Sequence, residues 1–306
     1  MPEAPEVQTV ISTLEVQIHD LQIEEVQVVY PKIVEHTTPE AFIKQLTGQH
    51  FRKFFRWGKY LLFVLDDYDL VVHLRMEGKF YLLKQPSQDK HVHIRFRLSD
   101  GRWMCYHDTR KFGRMQVYAH NNDPFAHPCF EKLGYDVLDP RLDGAYLYQK
   151  IHPLKKNLKS CLLDQSIVAG IGNIYADEIC FACGLDPRSR SARISKKDCE
   201  NLAFHTKRIM KGAMKAGGTT IRSYTSSLGV TGLFQLKLKV HAQAGKPCPN
   251  CQTTIRKITV SQRGTYLCPK CQKENNCHYR KHGIGEIHGI VYVKREFPGF
   301  RCRSSQ

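Results

Sequence analysis

The chain has 306 residues, 42% of them hydrophobic, with 46 Lys and Arg against 29 Asp and Glu and a net charge of +17. That apolar content supports a buried core and argues against wholesale disorder. No apolar run reaches a membrane span and the acidic N-terminus lacks the basic flank of a secretory signal, so the expectation is a soluble intracellular protein with no membrane partner. The charge is uneven: residues 1–140 carry 17 basic against 19 acidic side chains, and residues 141–271 carry 22 against 7. A field of that kind draws polyanions, nucleic acid above all.

In chain order, "MPEAPEVQTV" reads as a helix start, with proline in the first turn and Glu3 and Glu6 at the favourable end of the dipole. Residues 60–118 alternate as strands. "KYLLFVL", a turn at "DDYD", "LVVHLRM" and "GKFYLL" suggest a meander, and "HVHIRFRL" meets "RWMCYHD" across "SDG" as a hairpin. An antiparallel sandwich or barrel should cover this half. "HNNDPFAHP" is a loop that begins the passage to a second domain. Residues 145–216 read as helical, with a glycine turn, a helix from about Asn173, and a second helix capped by Ser195 with an acid three residues later. The fold class is α+β. The expected organisation is a β-sandwich over 2–120, a linker over 121–144, a helical domain over 145–236, a cysteine ribbon over 237–273 and a basic extension over 274–306.

Twelve cysteines include three C-x-x-C pairs, two of them near one end, Cys248 and Cys251 in "CPNC" and Cys268 and Cys271 in "CPKC". Two such knuckles present four thiolates to one structural Zn²⁺, and the stretch between them has strand composition around an Arg-Gly turn, as a zinc ribbon requires. Cys180 and Cys183 lie in an apolar helical sequence and read as core residues. "GIGN" at the start of a helix can offer backbone N–H groups to an anion, and with Lys155, Lys156 and Lys159 upstream it suggests a clamp on the DNA backbone.

"PEAPEV", "GKYLL", "HLRMEG", "DTRKFG", "LLDQSIVAGIGNIYADE", "GGTTIRSY" and "QRGTYLCPKC" occur in one order. Together they resemble the formamidopyrimidine-DNA glycosylase and endonuclease VIII family of DNA repair enzymes over residues 2 to about 273. The resemblance implies an N-terminal β-sandwich, a helix–two-turn–helix domain and a zinc ribbon. It further implies a monomeric base-excision enzyme, cytoplasmic or nucleoid-associated, that acts on damaged double-stranded DNA as glycosylase and abasic-site lyase.

Carried onto this chain, Pro2 is the nucleophile once Met1 is removed. An α-amino group titrates near 7.7–8.0, so part of it is unprotonated at neutral pH and can attack C1′ to form a Schiff base. Glu3 then handles protons around the sugar, Glu6 shapes its surroundings, Lys59 is the proton donor of β-elimination and Arg263 serves δ-elimination and grips a phosphate. Met76, Arg110 and Phe112 would fill the stack left by the extruded base, while His91, Arg110, Lys155, Lys159 and Asn173 hold the backbone. Arg110 and Phe112 match the branch acting on 8-oxoguanine and formamidopyrimidine, and "SYTSSLGVTGLF" resembles its loop over the extruded base. Arg75 and Glu77 add charge beside the wedge, which leaves an endonuclease VIII-like preference for oxidised pyrimidines open. Against a non-catalytic damaged-DNA-binding zinc-ribbon protein stand Pro2, Glu3 and Lys59, which a binder does not need.

Overall fold

The structure, a computed structural model, describes residues 1–219 and 237–274. The proposed capping loop, the end of "GGTTIRSY" and the extension from residue 275 onward lie outside the described residues. Helix α1 (Ala4–Ile18) starts at Glu3, whose side chain accepts from the third helical residue while Glu6 Oε2 accepts from Glu3 N at 2.9 Å. This reciprocal pairing satisfies backbone donors that a helix start leaves free. Val7, Val10, Ile11, Leu14 and Ile18 recur at helical spacing and are buried in the core of the first half.

That core lies between two sheets. The first elements are β1 (Ile23–Val28), β2 (Val34–Glu35), α2 (Pro39–Leu46), β3 (Lys53–Trp57), β4 (Tyr60–Val64) and β5 (Tyr68–His73). They are followed by β6 (Lys79–Leu83), β7 (Val92–Leu98), β8 (Trp103–His107) and β9 (Arg114–Ala119). One sheet has the order β2-β9-β5-β4-β3 and the other β1-β7-β8-β6. The β7–β8 hairpin forms as expected. The meander does not run through: β3, β4 and β5 pair in turn, but β6 pairs β8 in the opposite sheet. Alternation marks a strand without saying which sheet it joins. The chain crosses at residues 74–78, where Arg75 takes φ +55° and a side chain on Gly78 would strike Leu74 O at 2.6 Å. Met76 rides on this crossing.

The second half contains β10 (Tyr135–Asp136), α3 (Gly144–Ile151), α4 (Leu158–Leu163), β11 (Val168–Ala169), α5 (Asn173–Ala182) and α6 (Lys196–Lys215). The glycine turn expected within the helical reading is preceded by a short strand, β11, which pairs in parallel with β10 inside the expected linker. Helix α6 has the Ser195 cap with Asp198 completing a capping box, and it exits through Gly217 and Gly218 at φ +73° and +75°. Cys180 is fully buried in this half's core, as a small apolar residue would be. The ribbon hairpin is β12 (Arg256–Val260) and β13 (Arg263–Leu267). Its two-residue turn is Ser261–Gln262, not the Arg-Gly step expected from glycine content, and Arg263 pairs with Val260 at the head of β13. Phe181 of α5 joins Val240, Ile255, Cys248 and Cys268 in the ribbon's small core.

Candidate active site and metal centre

The first residues of α1 meet the start of α5. Glu3 is buried, and its carboxylate accepts from Gly172 N at 2.6 Å and Ile174 N at 2.9 Å. The "GIGN" turn is thus an anion cradle whose anion is the protein's own carboxylate, which corrects the expected clamp on DNA phosphate. Glycine is required there because a Cβ on Gly172 would lie 2.6 Å from Glu3 Oε1. Burial pushes the Glu3 carboxyl up to about 7, against the pull of Lys59 and of the two N–H donors. A carboxyl that titrates near neutrality can both give and take a proton.

Glu6 faces away from the cleft. It accepts from Tyr175 Oη at 2.9 Å and from Thr219 N at 2.8 Å, which ties α1 to the exit of α6. Pro2 is buried beside Glu3, and the chain's amino group belongs to Met1, an exposed residue at the cleft whose amino group is partly desolvated, which lowers its pKa. In this form Pro2 N is an amide nitrogen, without the lone pair an attack needs.

Lys59 sits in the two-residue turn between β3 and β4. Gly58, at φ +57°, supplies the left-handed residue such a turn needs, and a Cβ there would already touch Ala169 at 3.0 Å. The turn is anchored from the other half of the chain. Asp136 Oδ2 accepts from Gly58 N at 2.9 Å, and the same carboxylate takes a two-pronged bond from Arg56 at 2.5 and 2.8 Å. Lys59 is only 5% exposed, and burial lowers its pKa while Glu3 and Glu6 pull it back up. Asp136 and Arg56 carry no motif, and sequence reading missed them.

Arg263 forms the facing wall. Met1, Glu3, Lys59, Met76, Asn173, His241 and Arg263 line one cleft of about 690 Å³. Met76 reaches it from the crossing, whose Arg75 N donates to His73 Nδ1 at 3.0 Å. Burial and the nearby Arg75 charge lower the His73 pKa to about 3, so the ring stays neutral and keeps that lone pair. The neighbouring loop is organised by buried Asp108, which accepts from the backbone N–H groups of Arg110, Phe112 and Gly113 at 2.8–3.0 Å. Arg110 and Phe112 are exposed and stacked, the guanidinium 4.7 Å from the ring centroid. Thr109 donates to Glu77, joining the two loops. His91 is half-buried just before β7, and Lys155 is exposed just before α4.

Lys159 departs from its expected place on the DNA backbone. It is 1% exposed, with Nζ 2.7 Å from Asp177, 2.8 Å from Thr265 Oγ1 and 3.2 Å from Gly264 O. An ammonium stripped of water needs such partners, and here they fasten the ribbon to α4 and α5. Asn173 Nδ2 reaches the same Gly264 O at 3.0 Å. Asp177 also bonds His241 Nδ1 at 2.8 Å, and Glu178 accepts the N–H groups of Lys239, Val240 and His241, each at 2.9 Å. Two acids inside an otherwise apolar helix are the sequence signal for such anchors.

The four ribbon cysteines present sulfur atoms within 4.8 Å of one another, with Cys248 to Cys271 at 3.8 Å and Cys251 to Cys268 at 3.4 Å. Four thiolates at about 2.3 Å from zinc stand roughly 3.8 Å apart at the corners of a tetrahedron, so the donor set fits one structural Zn²⁺.

Three domain families match in sequence: residues 1–115 the formamidopyrimidine-DNA glycosylase N-terminal domain, 133–225 its H2TH domain, and 245–273 a zinc finger found in FPG and IleRS. The formamidopyrimidine-DNA glycosylase of Oceanobacillus iheyensis is 42% identical over 275 residues, covering 89% of this chain and 98% of that one. The Bacillus subtilis enzyme is 40% identical over 274 residues, 89% and 99%. A Lactococcus lactis FPG variant solved with Fapy-dG-containing DNA superposes with a TM-score of 0.83 at 35% identity, covering 89% of this chain and 100% of that one. MutM solved with carbocyclic 8-oxo-G-containing DNA gives 0.82 at 36%, with the same coverage. With this identity along nearly the full length of those relatives, the chain belongs to the formamidopyrimidine-DNA glycosylase family.

Proposed function

We propose that this protein removes oxidised purines, 8-oxoguanine and formamidopyrimidine, from double-stranded DNA and cuts the strand at the abasic site by successive β- and δ-elimination. The observation that carries it is the buried Glu3 carboxyl, titrating near 7 beside Lys59 and the amino end of the chain in the Arg263 cleft. The solved relatives bound to Fapy-dG and 8-oxo-G DNA support the choice of lesion.

Removal of Met1 turns Pro2 N into a secondary amine. It attacks C1′, the C1′–N bond to the base breaks, and the departing base takes up a proton, with Glu3 as the donor on hand. The C1′–O4′ bond of the adduct then breaks, with O4′ taking up a proton, which opens the sugar ring and leaves the imine on Pro2 N. The acidified C2′ proton then leaves, the C3′–O3′ bond breaks, and Lys59, its pKa lowered by burial, serves as the nearby proton carrier. Met76, Arg110 and Phe112 fill the vacated stack, and His91, Lys155, Asn173 and Arg263 hold phosphates. Zinc supplies no step; it holds the ribbon so that Arg263 stays in the wall. All these groups come from one chain, which fits a monomer.

The test is borohydride trapping on a duplex panel of 8-oxoguanine, formamidopyrimidine and thymine glycol. The expected result is a protein–DNA adduct mapping to residue 2, with turnover fastest on the purines. An adduct on Lys59 overturns the nucleophile, and thymine glycol processed tenfold faster overturns the lesion class.

A further inference from the structure

We infer that Asn157 and Ser261 are positioning residues for Arg263, and that their hydrogen bond sets how far strand cleavage runs beyond the first elimination. This deepens the function proposed above and rests on it.

The ribbon turn is built against local preference. Ser261 and Gln262 both occupy the left-handed region, at φ +46° and +60°, between the paired residues Val260 and Arg263. A two-residue turn with both centres at positive φ favours Asn-Gly or Gly-Gly, because a Cβ there crowds the backbone. Serine followed by glutamine has no such ease, so a restraint from elsewhere must hold it. That restraint is visible in α4. Asn157 Nδ2 donates to Ser261 Oγ at 2.8 Å, and Ser160 Oγ lies 2.8 Å from the same oxygen. Asn157 Oδ1 meanwhile accepts from Ser160 N at 2.8 Å as the cap of α4, which locks the amide in the orientation that points Nδ2 at the turn. On the far side of Arg263, Gly264 O is held by Lys159 and Asn173. Arg263 therefore stands between two tethers, and the Asn157 tether fixes the turn immediately before it.

The reaction is sensitive to such placement. After β-elimination the sugar remnant is an unsaturated imine on Pro2, still joined through O5′ to the 5′ strand. In the second elimination the C4′ proton leaves to a base, its electron pair shifts along the conjugated system, and the C5′–O5′ bond breaks with its pair on the phosphate oxygen. Arg263 steadies that developing charge only if its guanidinium is held at the phosphate, and a displacement of about 1 Å is enough to lose most of such stabilisation. Base removal and β-elimination depend on Pro2, Glu3 and Lys59, which the tether does not touch.

The experiment compares the full chain with Asn157→Ser and Ser261→Ala on an abasic-site duplex, resolving β from β,δ products, with zinc content measured in parallel. Serine at 157 still caps α4 but is too short to reach the turn. We expect Asn157→Ser to keep one zinc and a trapped-imine yield within about twofold of wild type. Its β,δ-to-β product ratio should fall by about threefold or more, the size of one solvent-facing hydrogen bond. Ser261→Ala should show the same ratio, and the double variant should add little. An unchanged ratio in both variants overturns the inference while leaving the lyase intact. A wild-type chain that forms no imine overturns both, and equal losses of imine and of δ product overturn a specific action on Arg263.

Discussion

Glu3 Oε2 accepts the backbone N–H of Gly172 at 2.6 Å across 169 residues of sequence. The contact leaves no room for a methyl group. Gly172 has an ordinary extended backbone, so Gly172→Ala acts by displacing the carboxylate, not by straining the chain. Base excision should fall by about a hundredfold, as expected for an acid moved by an ångström, with DNA affinity changed by only a few-fold. Single-turnover kinetics beside a binding titration check this, and a fully active alanine variant sinks the assignment of Glu3.

The Glu3 proton should also be visible in stability. Burial lifts its pKa from 4.5 to about 7, so the folded chain keeps a proton that the unfolded chain releases across that window. The contribution is fully present below pH 4.5 and is lost as pH rises through about 7. A shift of this size corresponds to roughly 3 kcal/mol. Melting curves of wild type and Glu3→Gln from pH 4.5 to 8 should show the wild type losing stability relative to the variant as pH rises. A difference that is flat with pH would return Glu3 to an ordinary carboxylate.

Lys159 separates two readings of a lysine. As the buried partner of Asp177, its replacement by methionine should destabilise the ribbon's attachment by about 3 kcal/mol, because the buried carboxylate loses its ammonium partner and keeps only the His241 and Tyr266 contacts. The salt dependence of DNA binding should keep its slope. Lys155→Ala, at an exposed position, should lower that slope by about one. A reduced slope for the methionine variant places Lys159 on phosphate after all.

Removal of zinc should act locally. The ribbon's core is a handful of residues around Cys248 and Cys268, too small to fold without its metal. Cys268→Ser should lose the one equivalent of zinc and most strand cleavage, while the sandwich melts as before. Zinc-free protein with full activity would contradict this.

Elements set by neighbours in sequence were legible: α1, the β7–β8 hairpin, the Ser195 cap and the cysteine knuckles. So was the membership of the cleft, since Glu3, Lys59, Met76, Asn173 and Arg263 do converge. What failed to show depends on distant partners. The preference of the "GIGN" turn for an anion is local, but the identity of that anion is tertiary. A lysine among lysines looks exposed until Asp177 and Thr265 close around it. Glycine content pointed to an Arg-Gly turn, yet tethers from α4 hold Ser261 and Gln262 where propensity would not. Asp136 looked like linker, although it anchors the turn that carries Lys59.

Among the bonds that cross between the sandwich and the helical half at the floor of the cleft are three to the backbone: Ala4 N to Gly170 O at 3.1 Å, Gly172 N to Glu3 at 2.6 Å, and Gly58 N to Asp136 at 2.9 Å. A hinge that parted these halves would break all three together, admit water to Glu3 and return its carboxyl to ordinary acidity. Those bonds leave the rim free to adjust without them, at the crossing of residues 74–78 and the loop after Asp108. If duplex DNA is sampled at that rim, Glu3 and Lys59 below need not move for it, and search and chemistry need not share a moving part.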